Sequence, residues 1–225
     1  MFALGVPSAD MALIHQARII PTKAEALSAW LPSRPWSGGA PAAPFDLLAA
    51  YRFDDPAGEV GIETHLVRTA RGDVLQVPLT YRDAPLDGAE HALIDTMQHS
   101  RLGRRWVYDG CADPVYAAAL TAAILTGGRQ AEEWVEKDSG REQRAATAQV
   151  TGSGTPGVPV PAIDAATTHT VTATDGPSVT TIEASAREIV VLRVPGATAS
   201  PDGATTLTGT WPGRTEPALL AFVRP

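Results

Sequence analysis

The sequence predicts an α+β protein: an antiparallel sheet with one or two packed helices, followed by a β-rich C-terminal region. Three observations predict it. The runs "FDLLAAYRF", "EVGIETHLVRTA" and "DVLQVPLTYR" between 45 and 82 are strand-like, with side chains alternating at period two in the latter two, and turn residues separate them. Two short segments carry helix caps, Thr22 with Glu25 and Asp113 with Pro114. Past residue 128 helix signals stop, and Thr, Val, Gly and Pro dominate. The expected organisation is an α+β unit over 1–128 and a β-rich region over 129–225, either separate or continuing the same sheet.

Taken in order, "MALIHQARII" (11–20) reads as a short strand ended by Pro21. Thr22 and Glu25 stand at capping-box spacing, T-x-x-E, before "KAEALSAWL". Ala26, Leu27, Trp30 and Leu31 fall on one face of that helix, and Pro32 ends it, since the residue before proline is pushed out of the α region. Trp30 therefore packs the helix on the sheet. Trp36 lies in the loop after it, before a Gly/Pro/Ala connector, either as a structural anchor or as a contact for a ligand or partner. Alternation in the next strands implies a sheet covered on one face, and Pro78 marks an edge or a bulge. "APLDGAEHALIDTMQHS" is ambiguous between loop, short helix and strand. "GRRWVYDG" is a strand carrying Trp106 and Tyr108. "DPVYAAALTAAILTGG" is a helix with Asp113 as N-cap, Pro114 at its first position and glycines past its end. Its outer surface of Ala and Thr suits cover on more than one side. "RQAEEWVEK" and "REQRAATAQV" flank a hairpin turn, and five short strand candidates follow "TGSGTPGVPVPA". "VLQVP" at 74–78 echoes "VLRVP" at 191–195, either as trace of two similar half-sheets or by chance.

Composition excludes several functions. The chain has 225 residues, 44% hydrophobic, with a formal charge of −7 spread along it. Duplex nucleic acid and anionic membranes both require a basic patch, so neither is an expected partner. No apolar run approaches the ~20 residues of a membrane span. The N-terminus lacks the basic n-region of a signal peptide, and the cytoplasm is the expected compartment. The single cysteine, Cys111, permits neither an internal disulfide nor a thiolate metal cluster. It reads as a small core thiol.

Searches for catalytic motifs fail. There is no phosphate-binding G-x-x-x-x-G-K-[ST] loop, no nucleophile elbow and no H-E-x-x-H. "GSGTPG" is the nearest glycine-rich run, but no helix follows it. The histidines at 15, 65, 91, 99 and 169 are isolated, so no metal or cofactor is expected. Asp109 and Asp113 flank a strand-to-helix junction and form the remaining candidate pair for glycoside chemistry. As a cap alone, Asp113→Ala is expected to cost about 1 kcal/mol and Asp113→Ser to recover most of it.

"PTKAEALSAWLPSRPWSGG", "LQVPLTYRDAPLDGAEHALIDTM", "LGRRWVYDG" and "DPVYAAAL" together resemble the N-terminal cap domain of actinobacterial maltokinases. They also resemble stand-alone relatives of that cap, some labelled glucan-branching proteins. The signature falls on Trp30, Leu31, Arg34 and Trp36, then on Gln76, Val77, Pro78 and Leu79. The resemblance spans roughly 11–126. It implies a curved antiparallel sheet wrapped on a helix, similar to the cystatin arrangement. In maltokinases the catalytic residues lie in lobes after the cap, so it implies a cap without kinase machinery. The expected function is a non-catalytic binding or regulatory module, working with a separately encoded enzyme of α-glucan, trehalose or maltose metabolism. The alternative is a binder of small molecules or oligosaccharides. For either, Arg34, Trp36, Trp106 and Tyr108 are the candidate contacts, with Arg34 stacked on Trp36 or paired with a carboxylate. A third reading, an enzyme acting on α-glucans, lacks the cleft carboxylates, and a catalytic (β/α)₈ barrel needs about 250 residues.

Overall fold

The computed structural model describes residues 12–14, 18–38, 45–137, 140–171, 178–184 and 187–224. Its elements are strands β1 (Ala12–Ile14) and β2 (Ile19–Ile20), helix α1 (Lys23–Trp30), strands β3 (Asp46–Phe53), β4 (Gly61–Arg68), β5 (Val74–Arg82), β6 (Leu93–His99) and β7 (Gly103–Asp109), and helix α2 (Pro114–Thr126). There follow β8 (Glu133–Lys137), β9 (Gly140–Arg144), β10 (Gln149–Gly152), β11 (Thr167–Val171), β12 (Val179–Ala184), β13 (Arg187–Leu192), β14 (Thr205–Trp211) and β15 (Arg214–Val223). The first large sheet runs β2-β6-β7-β5-β4-β3, antiparallel and strongly curled. The second runs β10-β14-β15-β13-β12-β11, also antiparallel, and β1-β8-β9 form a small third sheet. The α+β class holds. "MALIHQARII" splits between two sheets, and its residues 15–17 lie outside the described ones.

Both helices form as their caps dictate. Thr22 accepts from the Glu25 amide and the Glu25 carboxylate accepts from the Thr22 amide, which closes the capping box. Ala26, Leu27, Trp30 and Leu31 are all buried, and each of the large ones contributes about 2 kcal/mol by leaving water. Asp113 caps α2 by accepting from the Val115 amide at 2.9 Å. Past α2, Gly127 adopts φ +71°. The ambiguous segment at 84–100 resolves into a 3-10 turn, Glu90–Ala92, and β6.

The sheet differs from the one-face expectation. Residues 62–67 of β4 and 75–80 of β5 are buried without alternation. On one face Val67, Leu75, Val77 and Leu79 meet α1 and the two tryptophans. On the other, Tyr51, Phe53, Ile62 and Leu66 meet Tyr116, Leu120 and Ile124 of α2, and beyond them Val150, Ile182, Leu207 and Leu220 of the second sheet. The polar residues of the second set, Glu63 and His65, are buried rather than wet, because Lys23, Arg52 and His65 surround the Glu63 carboxylate. Helix α2 is thus enclosed between the sheets, which explains its Ala-rich outer surface.

Pro78 is neither on an edge strand nor at a register shift. It pairs with Thr64 of β4, while β7 joins β5 only from Leu79 onward. Its missing N–H falls just before that pairing begins. The side of β5 left open by β7 is taken by the second sheet: the Gln76 amide donates to the Arg193 carbonyl at 2.8 Å. The Gln76 side chain accepts from the Tyr51 hydroxyl at 3.0 Å and donates to the Leu192 and Leu220 carbonyls at 2.9 and 3.0 Å.

"GSG" at 152–154 seats on the C-terminus of α2. The Gly154 and Thr155 amides donate to the Ile124 and Leu125 carbonyls, each at 2.9 Å. These are two of the carbonyls a helix end leaves open. A Cβ on Gly154 would lie 1.9 Å from the Leu125 oxygen, so this approach requires glycine.

Candidate functional site

The sequence "WLPSRPWSGG" folds into two 3-10 turns after α1, Leu31–Ser33 and Pro35–Ser37, each with a proline near its start. Proline fits there because its φ is preset and its missing N–H is not needed. Gly38, at φ +66°, ends the second turn. The result sets Trp36 against Trp30 edge to face, with ring centroids 5.7 Å apart and planes at 64°. This is a favourable arrangement for two ring quadrupoles.

Arg34 does not stack on Trp36, nor does it pair with a carboxylate among the described residues. Its guanidinium lies 4.9 Å over Trp30 and donates to Ser33 Oγ at 2.9 and 3.2 Å. Ser33 Oγ in turn donates to the Trp30 carbonyl. The short turn between the prolines points Arg34 back along α1. The arginine on Trp36 comes from the far end of the chain: Arg193 lies 4.3 Å over that ring.

Arg193 is 1% exposed. Its Nη2 donates to Asp109 Oδ2 at 2.6 Å and its Nε to Thr180 Oγ1 at 2.8 Å. Asp109 ends β7 and also accepts from the Cys111 amide. Burial opposes the guanidinium's charge, but Asp109 more than offsets that, and its affinity for the proton is raised. Burial pushes the Cys111 thiol well above its usual range. A protonated, enclosed thiol is no nucleophile.

Asp113 is fully buried and holds a second arginine. Arg82 Nε and Nη2 donate to its two carboxylate oxygens, both at 2.7 Å. The Asp109–Asp113 pair is therefore committed to two arginines, one carboxylate each. Asp113 is therefore more than a cap, and its loss is expected to cost more than the cap alone.

The remaining candidate contacts separate. Arg34 and Trp36 come together with Trp30 at the seam where the two large sheets meet. Tyr108 is buried in a small cluster with Ala89 and Ala92, its hydroxyl accepting from the Leu86 amide at 2.9 Å. Trp106 packs at the edge of that cluster, under Arg104 at 4.9 Å. Trp36 is 3% exposed with Arg193 over its ring, so it presents no open face to a sugar.

A cavity of about 120 Å³ opens at the seam, bordered by Trp30, Arg34, Trp36, Asp109, Cys111 and Arg193. Thr168, Thr170 and Thr180 of the second sheet and His91 also line it. Elsewhere, under α1, Glu63 sits among Lys23, Arg52, His65 and Tyr81, with His65 Nε2 at 3.2 Å and the Tyr81 hydroxyl at 3.1 Å. Burial works against its charge, and His65, Arg52 and Lys23 more than offset it, holding the carboxyl well below the usual range. No group of three metal-ligating side chains occurs among the described residues.

Sequence reasoning missed Arg193, Thr180 and the Glu63 cluster. One signal pointed at Arg193. In the echo "VLQVP"/"VLRVP", Gln76 and Arg193 are the polar centres, and those two residues are bonded across the seam.

The fold and site define an α+β module whose curled N-terminal sheet is fastened to a second sheet by buried polar contacts. Residues 30–113 match the maltokinase N-terminal cap domain. The match opens on Trp30 and closes on Asp113, spanning β3 to β7. No curated protein matches the chain.

Proposed function

We propose that the protein is a non-catalytic docking or regulatory module that works with an enzyme of maltose or trehalose metabolism. The observation that carries this reading is the match of 30–113 to the cap, a non-catalytic part of maltokinase. The geometry agrees with it. Asp109 and Asp113, the carboxylate pair the sequence offers for glycoside chemistry, are bound by Arg193 and Arg82, one arginine to each. Gln76 and Arg193 bond the cap-like sheet to the second sheet. Purified protein incubated with maltose, trehalose or glycogen is expected to leave each unchanged by product chromatography. Turnover of any of them by the pure protein contradicts the reading.

A further inference from the structure

We infer that the seam cavity is a binding site for a compact oxyanion, a carboxylate or phosphate group of one small molecule. Two observations point there independently of the docking role. Arg193 Nη1 and Trp30 Nε1 are buried N–H donors with no partner among the described residues. Both belong to side chains that border the cavity. A guanidinium donor left unpaired in the interior is costly, so the fold gains when an acceptor enters. The other two guanidinium nitrogens of Arg193 are fixed by Asp109 and Thr180, and the ring of Trp36 holds its plane. The free edge is therefore preorganised, as oxyanion recognition by arginine requires.

Charge and size select the ligand class. Arg193 and Arg34 against Asp109, with His91 also at the wall, leave the cavity net positive and suited to an anionic group. A volume near 120 Å³ equals a few waters, enough for a carboxylate or phosphate group and little more. Asp109 disfavours an anion at its own oxygens, which steers the ligand toward Trp30 and Arg34. The hydroxyl of Thr168 suits a remaining oxygen, while Thr170 is bonded to Thr180 at 3.0 Å. Trp36, Asp109 and Cys111 come from the cap-like part and Thr180 and Arg193 from the second sheet. An occupied cavity would thus tie the two together.

The test is an NMR titration of ¹⁵N-labelled full-length protein with sodium acetate and sodium phosphate, against sodium chloride at matched ionic strength. The Trp30 indole N–H resonance is expected to shift and saturate below about 10 mM of the binding anion. Saturation by acetate alone assigns a carboxylate and by phosphate alone a phosphate group; either supports the site. Trp30→Phe keeps a ring and removes the donor, and is expected to weaken binding about tenfold, read from backbone amides around Thr180. Trp134→Phe, in the small third sheet, is the control for loss of a tryptophan. No saturating shift with either oxyanion, or an equal shift with chloride, overturns the inference. So does a folded Trp30→Phe protein that binds as tightly as the parent. Should that variant not fold, the titration of the parent still decides.

Discussion

Replacing Asp113 separates a simple helix cap from a buried ion-pair anchor. Its carboxylate accepts from the Val115 amide at 2.9 Å and from Arg82 Nε and Nη2 at 2.7 Å each. Loss of the cap costs about 1 kcal/mol. Loss of charged hydrogen bonds at a fully buried acceptor adds about 2 kcal/mol, kept to the low side because Arg82 is partly exposed and water replaces some of what it loses. Asp113→Ala is thus expected to cost about 3 kcal/mol. Asp113→Ser restores the cap and not the pair, so it recovers only about 1 kcal/mol. Asp113→Asn, still a good cap with one acceptor for Arg82, falls between alanine and the parent. Urea midpoints with slopes give the three values. Serine recovering most of the loss would refute the reasoning, since Arg82 would then contribute nothing.

Other outcomes follow from the same geometry. Gln76→Leu removes the acceptor of Tyr51 and the donors to Leu192 and Leu220, and is expected to cost about 3 kcal/mol by urea denaturation. Gly154→Ala drives a Cβ into the end of α2 and is expected to lower the thermal midpoint clearly, while Gly157→Ala, with open space but φ +84°, costs only the ~1 kcal/mol of a left-handed alanine. Cys111 is expected to ignore thiol reagents in the native protein and to react fully in urea, as a 1% exposed residue should. Glu63 has a folded pKa below its unfolded value of about 4.3. Its stabilisation is therefore complete above that pH and is lost as pH falls through the lower, folded value. Glu63→Gln is expected to flatten the acid limb of a stability-against-pH curve; an unchanged slope would contradict the assignment.

The parts legible in the sequence are those set by local chemistry. Thr22 with Glu25 and Asp113 with Pro114 specify helix starts through bonds within a few residues, and both formed as read. The strand runs were legible because turn residues bound them. What sequence could not supply is the pairing of distant side chains. Arg193 and Asp109 lie 84 residues apart, and nothing local to either one names the other. Arg34 illustrates the limit at short range: stacking on Trp30 instead of Trp36 depends on the path of two consecutive 3-10 turns. Pro78 shows another limit, since a proline inside a central strand is tolerated when the neighbouring strand arrives one residue later. The cover on both faces of β4 was hidden because the second sheet is contributed by the other half of the chain.

The docking claim is tested most directly by recovering the protein under gentle conditions from the cell that makes it and identifying what comes with it. The account predicts one partner at stoichiometric level, identified by mass spectrometry as an enzyme, whose isolated complex acts on maltose or trehalose. Recovery of the protein alone, or with a partner inactive on either sugar, would contradict it.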